Sequence, residues 1–233
     1  MGNETAVRIQ TSILNKAEKK VLVWLAERQP RWITSDALTY IGLFGAIVCA
    51  AGFILSNISL DYLWISSLGL VINWYGDSLD GTLARVRHAQ RPIYGFFIDH
   101  NIDAITITIM CIGAGLSPLV RLDLAMLVLI GYLVLSIYTY ICTMIKNEFR
   151  LTYGKLGPTE FRLIVIIVNT LFIYLPLAEK SFVICGLSFG IFDFIAAAIA
   201  LILFTLHLVS FAIDLRKVAR QDPIKKNDTT PNA

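Results

Sequence analysis

Charge is what this sequence has least of. Only 16% of its 233 residues are Asp, Glu, Lys or Arg, against 56% hydrophobic residues, and the mean hydropathy is +0.68. Soluble domains carry about 25% charged residues, so the composition argues against a water-soluble globule. Cysteine is sparse too. Cys49, Cys111, Cys142 and Cys185 stand singly in apolar runs, without CxxC or Cys/His spacing. That excludes a recognisable zinc site or disulfide framework and leaves four small packing residues. No Ser/His or Cys/His pairing points to a covalent intermediate. The N-terminus lacks the small-residue cleavage site of a signal peptide. Ala6 stands where a myristoylation signal needs Ser or Thr.

Long apolar runs are what the chain does have. Six read as membrane spans: Leu38–Ser56, Leu60–Ala84, Pro92–Leu116, Leu122–Ile145, Thr159–Ala178 and Phe189–Ile213. About 20 apolar residues cross ~30 Å of hydrocarbon, and a lipid-immersed backbone must satisfy its own hydrogen bonds, so these are helices. Ser35 or Asp36 is placed to cap the first, Ser117-Pro118 to stop the third and Gly157-Pro158 to start the fifth. Ahead of them, Ile13–Trp32 alternates apolar and charged positions at helical spacing, which predicts an amphipathic helix in the membrane surface. In a six-span topology only Arg121 and Lys180 fall on one side, and the other eighteen of twenty basic residues fall on the opposite side. The positive-inside rule then makes both termini cytoplasmic. The expected fold is all-α. Residues 1–33 form an N-terminal segment with the amphipathic helix, 34–215 a six-span domain, and 216–233 a polar tail. The expected location is a bacterial inner membrane, with no nucleic-acid partner.

Against that background, four aspartates within 27 residues stand out. Asp77 and Asp80 lie near the end of the second span, Asp99 and Asp103 near the start of the third, and each pair shares a helix face. The short link Arg85–Arg91 predicts that these helices are antiparallel neighbours with the pairs facing each other. Four close carboxylates repel strongly in a low dielectric. Hard divalent cations with oxygen ligands, Mg²⁺ or Mn²⁺, relieve that repulsion and bridge to phosphates. Four carboxylates suit two ions about 3.5–4 Å apart. Gly81 and Ala84 extend the first carboxylate stripe and Gly95 the second. A mid-helix glycine costs ~1 kcal/mol against alanine, and here it leaves room beside the carboxylates. Arg85 follows at the membrane edge, able to donate to a phosphate. Carboxylates, space and a guanidinium describe a diphosphate site. Two other readings of the acids are close helix packing through small residues and a divalent cation transport path. The first leaves the aspartates unexplained. The second finds no midplane charge in the fourth span, nor in the fifth beyond Arg162.

The order D-x2-D-G-x2-A-R-x9-G-x3-D-x3-D, carried by Asp77, Asp80, Gly81, Ala84, Arg85, Gly95, Asp99 and Asp103, resembles the signature of the CDP-alcohol phosphotransferase family. The resemblance implies transfer of a phosphoryl group from a CDP-linked alcohol to a second alcohol, with release of CMP, in phospholipid synthesis. It implies that Asp77, Asp80, Asp99 and Asp103 hold the metal ions and that Asp103 is also the general base. Gly81 and Arg85 resemble nucleotide-diphosphate contacts, and Arg91 stands where another phosphate contact is placed. Residues 34–39, with Asp36 and Thr39, are similar to the family's T-P-N-x-x-T stretch at the CDP moiety, with Ser35 for Pro and Asp36 for Asn. The resemblance also implies a homodimer. It favours CDP-diacylglycerol with a small polar alcohol, with CDP-choline or CDP-ethanolamine and diacylglycerol as the alternative.

The fourth-to-fifth loop bears on the acceptor. Arg150, Lys155 and Arg162 could bind an acceptor phosphate, whereas Glu160 could face a cationic head group. Gly157–Glu160 and the pair Asp99-His100 are loosely similar to the choline and ethanolamine branch. His100, His88, His207 and the tyrosines Tyr132, Tyr138 and Tyr140 are read as structural.

Overall fold

The computed structural model describes residues 7–9, 14–146, 148–150, 157–175, 181–184 and 187–222. Among the described residues are seven α-helices: α1 (Asn15–Glu27), α2 (Ser35–Leu55), α3 (Leu63–Val86), α4 (Pro92–Gly115), α5 (Leu122–Lys146), α6 (Pro158–Tyr174) and α7 (Ile191–Gln221). The helices α2 to α7 correspond in order to the expected spans. Four of them, α2, α4, α5 and α7, are long and apolar enough to cross a bilayer. The apolar run of α3 is broken by polar residues toward its C-terminal end, although the helix itself is continuous. The 17 residues of α6 extend about 25 Å at 1.5 Å each; Ala178, where that span was expected to close, lies outside the described residues. So do Ile13, Lys155, Cys185 and the tail from 223.

Two short ladders amend the all-α expectation. β1 (Val7–Ile9) pairs in parallel with β2 (Glu148–Arg150), and β3 (Ser181–Ile184) pairs antiparallel with β4 (Leu187–Gly190). Val, Ile and Phe favour extended backbone, but runs of three or four residues are too short for alternation to register.

Helix ends follow local chemistry. Thr34, rather than Ser35 or Asp36, caps α2: its Oγ1 accepts from Ala37 N at 3.1 Å, because Thr34 has the extended backbone that a cap requires. Ser35 instead donates to the Asp80 carbonyl at 2.9 Å. At the end of α3, His88 adopts φ 51°. There His88 N donates to Arg85 O and Ala89 N to Ala84 O, at 3.1 and 2.9 Å, the paired bonds of a Schellman stop. His88 thus ends α3, a role glycine usually fills. Pro92 then opens α4, where its missing N–H costs nothing. At the other end of the bundle, Asp193 caps α7, accepting from Gly190 N and from Arg121 N, both at 2.7 Å.

Packing runs outward from α3. It meets α1, α2 and α6; α2 also meets α4, α4 meets α5, and α5 meets α7. The contact between α2 and α3 is backbone on backbone. A Cβ added to Gly52 would lie 2.1 Å from Ser66 N, one on Gly69 2.2 Å from Cys49 N, and one on Gly76 2.2 Å from Gly42 N. In lipid, apolar burial gives little drive for helices to associate, so small residues permitting close approach supply the packing. Polar clasps hold α6 to α3: Asn169 Nδ2 donates to Ser67 Oγ at 3.2 Å and Arg162 Nε to Asn73 Oδ1 at 3.0 Å.

The amphipathic α1 is docked on the bundle, not merely laid in the interface. Leu22 and Ala26 are buried against Leu38, Leu79 and Leu83, while Val21 and Trp24 are exposed. Glu18 Oε1 accepts from Trp74 Nε1 at 2.9 Å and from the Thr159 hydroxyl. Outward-facing Tyr40, Phe44, Ile47, Leu201 and Leu208 are also exposed. So much contiguous apolar surface suits a lipid surround rather than water, and the chain is an integral membrane protein.

Candidate active site

The α2 helix packs on both α3 and α4, but α3 and α4 touch each other little. The expectation that α3 and α4 are neighbours with facing aspartates is met at Asp77 and Asp103, but the two helices do not pack closely, and a cleft lies between their facing ends. Acidic groups stand on both sides of it, with Leu43, Ile102 and Thr106 among the residues at its border. Thr39, Gly42, Asn73, Asp77, Asp99 and Asp103 line the cleft. Asp77 lies within hydrogen-bond reach of Asp103, and Asp99 and Arg162 lie within its electrostatic reach.

Asp80 departs from the other three. It is buried and turned toward α2, where Thr39 Oγ1 donates to its Oδ2 at 2.7 Å. Gly81 N also donates to Asp80 Oδ1. Thr39 and Asp80, both singled out by sequence, thus meet directly. Asp36 and Arg91 meet as well: Arg91 Nη1 stands 3.4 Å from Asp36 Oδ2, and its guanidinium lies 3.5 Å over the Tyr94 ring. Both are exposed, at the start of α2 and of α4. Arg85 Nη2 donates to Thr82 Oγ1 at 2.9 Å. A Cβ on Gly81 would meet only Arg85 Nη1, at 3.6 Å, and one on Gly95 would find nothing within 4 Å. Ala84, one turn beyond Gly81, keeps the α3 stripe narrow.

The acceptor candidates separate. Arg162 reaches the aspartates: its Nη2 donates to Asp77 Oδ2. Glu160 is buried, and its two oxygens accept from Gly157 N and Leu14 N, both at 2.9 Å. That carboxylate caps α6 and ties it to the start of α1. Arg150 belongs to β2, and Lys155 lies outside the described residues.

Two polar residues escaped the sequence reading. Asn73 stands one turn before Asp77 on the same face of α3, and its Nδ2 donates to Gly42 O at 2.9 Å. A buried amide four residues ahead of the first aspartate was the available signal. The second is Glu18, whose partners lie on two later helices.

The donor set fits a hard divalent ion. Oxygen donors dominate the cleft, and Asp99, His100 and Asp103 offer ligand atoms within 4.8 Å of one another. The three carboxylates give the oxygen-rich environment that Mg²⁺ and Mn²⁺ prefer. His100 is packed between Phe96 and Tyr140, with ring centroids 4.1 and 4.8 Å away, the latter stacked. Its Nδ1 stands 3.5 Å from Asp99 Oδ2.

Comparison with known proteins adds two findings. A family model described as CDP-alcohol phosphatidyltransferase matches residues 32–206. The archaetidylinositol phosphate synthase of Pyrococcus horikoshii is 31% identical over 140 residues, covering 60% of this chain and 70% of the relative.

Proposed function

This chain belongs to the CDP-alcohol phosphatidyltransferase family, and from that membership we propose that it joins a CDP-activated membrane lipid to a small, phosphate-bearing polar alcohol. It is a CDP-alcohol phosphotransferase of phospholipid synthesis. The phosphate-bearing acceptor is argued from the meeting of Arg162 with Asp77 in a cleft that also presents Asp99 and Asp103. A fixed guanidinium beside the proposed base is suited to an acceptor that carries its own phosphate. The relative's printed name, a synthase of a phosphorylated inositol lipid, agrees with that acceptor class.

Asp77, Asp80, Asp99 and Asp103 would hold Mg²⁺ or Mn²⁺. When bound, two such ions would neutralise the diphosphate and the charge developing on departing CMP. Asp103 accepts the proton of the acceptor hydroxyl as its oxygen bonds to the lipid-bearing phosphorus. The bond from that phosphorus to the CMP oxygen breaks, so no covalent enzyme intermediate is required. Thr39 orients Asp80, and Asp36, Arg85 and Arg91 contact the CDP diphosphate and nucleotide. Gly81, Ala84 and Gly95 leave space for them. Arg162 receives the acceptor phosphate, with Arg150 and Lys155 as additional cationic contacts. Glu160 is committed to backbone N–H groups, which disfavours a cationic choline or ethanolamine group at that residue.

The wider arrangement follows from the same reading. All six helices α2–α7 cross the membrane, the cleft and both termini are cytoplasmic, and residues 34–215 form the transferase domain. Two copies associate as a homodimer. The test is CMP release by purified protein from CDP-diacylglycerol, against a panel of phosphorylated and unphosphorylated alcohols, with Mg²⁺, Mn²⁺ or EDTA. The expected result is metal-dependent release that only phosphorylated alcohols stimulate. Release driven equally by inositol and glycerol, or release indifferent to EDTA, refutes the reading.

A further inference from the structure

We propose that Asn73 is a positioning residue that fixes the Arg162 guanidinium for the acceptor's phosphate. This rests on the reading of Arg162 as the acceptor-phosphate contact. Asn73 is 2% exposed, and both ends of its amide are used. Its Nδ2 donates to Gly42 O at 2.9 Å, and its Oδ1 accepts from Arg162 Nε at 3.0 Å. Few other uncharged side chains donate and accept at once from a planar group. The backbone beneath it is equally constrained: a Cβ on Gly45 would come within 2.3 Å of Asn73 N. Asn73 therefore presents its oxygen from a site that the α2–α3 contact holds rigid.

The consequence falls on Arg162. A guanidinium on a long side chain has many rotamers to lose, and an acceptor would bear that loss on binding. Here Nε is held by Asn73 and Nη2 by Asp77. Two contacts along one edge set both the direction and the plane of a five-donor fork. The fork is then oriented before the acceptor arrives, which lowers the entropic cost of binding. Asn73 also lines the cleft itself, so the effect is local to the proposed acceptor side. A purely structural polar clasp between α3 and α6 would instead disturb every kinetic constant together.

The experiment uses the full-length protein in detergent. CMP release from CDP-diacylglycerol is followed with myo-inositol 1-phosphate and sn-glycerol 3-phosphate as probes, and with myo-inositol and glycerol as controls. Asn73→Leu is expected to raise KM for the stimulating phosphorylated probe about tenfold or more, the scale of a lost hydrogen bond to a charged group. The KM for CDP-diacylglycerol should hold. Asn73→Asp, which keeps an oxygen for Nε but loses the donor to Gly42 O, should restore part of the loss. In an Arg162→Gln background, Asn73→Leu should add nothing further. Equal rises in both KM values, failure of Asn73→Asp to rescue, or full additivity with Arg162→Gln overturns the proposal. Should Asn73→Leu fail to purify folded, Asn73→Ser set against Asn73→Asp makes the same comparison. If the wild type shows no preference for phosphorylated probes, the acceptor reading falls and this proposal with it. If the wild type prefers them and Asn73→Leu keeps KM unchanged, only this proposal falls.

Discussion

The two faces of α3 use the same residue type for opposite ends. Toward α2, Gly69 and Gly76 have another backbone in the space a Cβ would fill, at 2.2 Å in each case. Away from α2, Gly81 and its counterpart Gly95 on α4 face almost nothing. One face is closed so that helices can lock together where apolar burial gives them little reason to. The other is left open on the helix ends that carry the carboxylates. The closed face fixes the position of the open one, since Asp77 and Asp80 ride on the helix that Gly69 and Gly76 anchor.

The strongest way to separate the two faces is to disable the open one alone. Asp103→Asn is expected to cut CMP release by about 10²–10⁴, the usual contribution of a general base, with the melting temperature in detergent unchanged. Comparable release by this variant would remove Asp103 from the base role. The closed face should respond in the opposite sense. Gly69→Ala forces a methyl into backbone, and overpacking of this kind costs roughly 1–3 kcal/mol or more. It should appear as a lowered melting temperature and a broadened size-exclusion profile.

The same substitution on the open face tests the contrast directly. Gly95→Ala places its methyl in empty space and gains up to about 1 kcal/mol of helix propensity. Melting should hold or rise while KM for the CDP donor increases; a fall in melting temperature would mean that this face is packed after all. The smallest effect is expected at the rim. Asp36→Asn breaks an exposed ion pair with Arg91, worth about 0–1 kcal/mol, so stability should barely change. A modest rise in donor KM is the readout, and it should shrink at high salt.

Legibility in the sequence divides along the same line. The spacing of Asp77, Asp80, Asp99 and Asp103 was readable because a carboxylate in an apolar run is conspicuous, and three of them do border one cleft. The turn of Asp80 toward Thr39 was not readable, since it depends on α2 standing against α3. Arg162 looked like one basic residue among several in a loop, and only the docking of α6 brings it to Asp77. Asn73 is marked only by its place four residues ahead of Asp77, and Glu18 only by its place on an amphipathic helix, because their partners Arg162 and Trp74 lie 89 and 56 residues away. Gly45 and Gly52, like Gly69 and Gly76, recur at seven residues, a stripe that was present in the sequence but is silent until its partner helix is known. His88 could not be foreseen as the α3 stop, because a left-handed histidine is an uncommon solution.

Glu18 lies ahead of residue 32, where the family match begins, yet its carboxylate grips Trp74 one residue after Asn73 and Thr159 three residues before Arg162. The leading helix is thus a handle on the proposed site. An affinity tag, fluorescent fusion or truncation placed there would pull on the helices that carry Asn73, Asp77 and Arg162, so a label belongs at the other end of the chain.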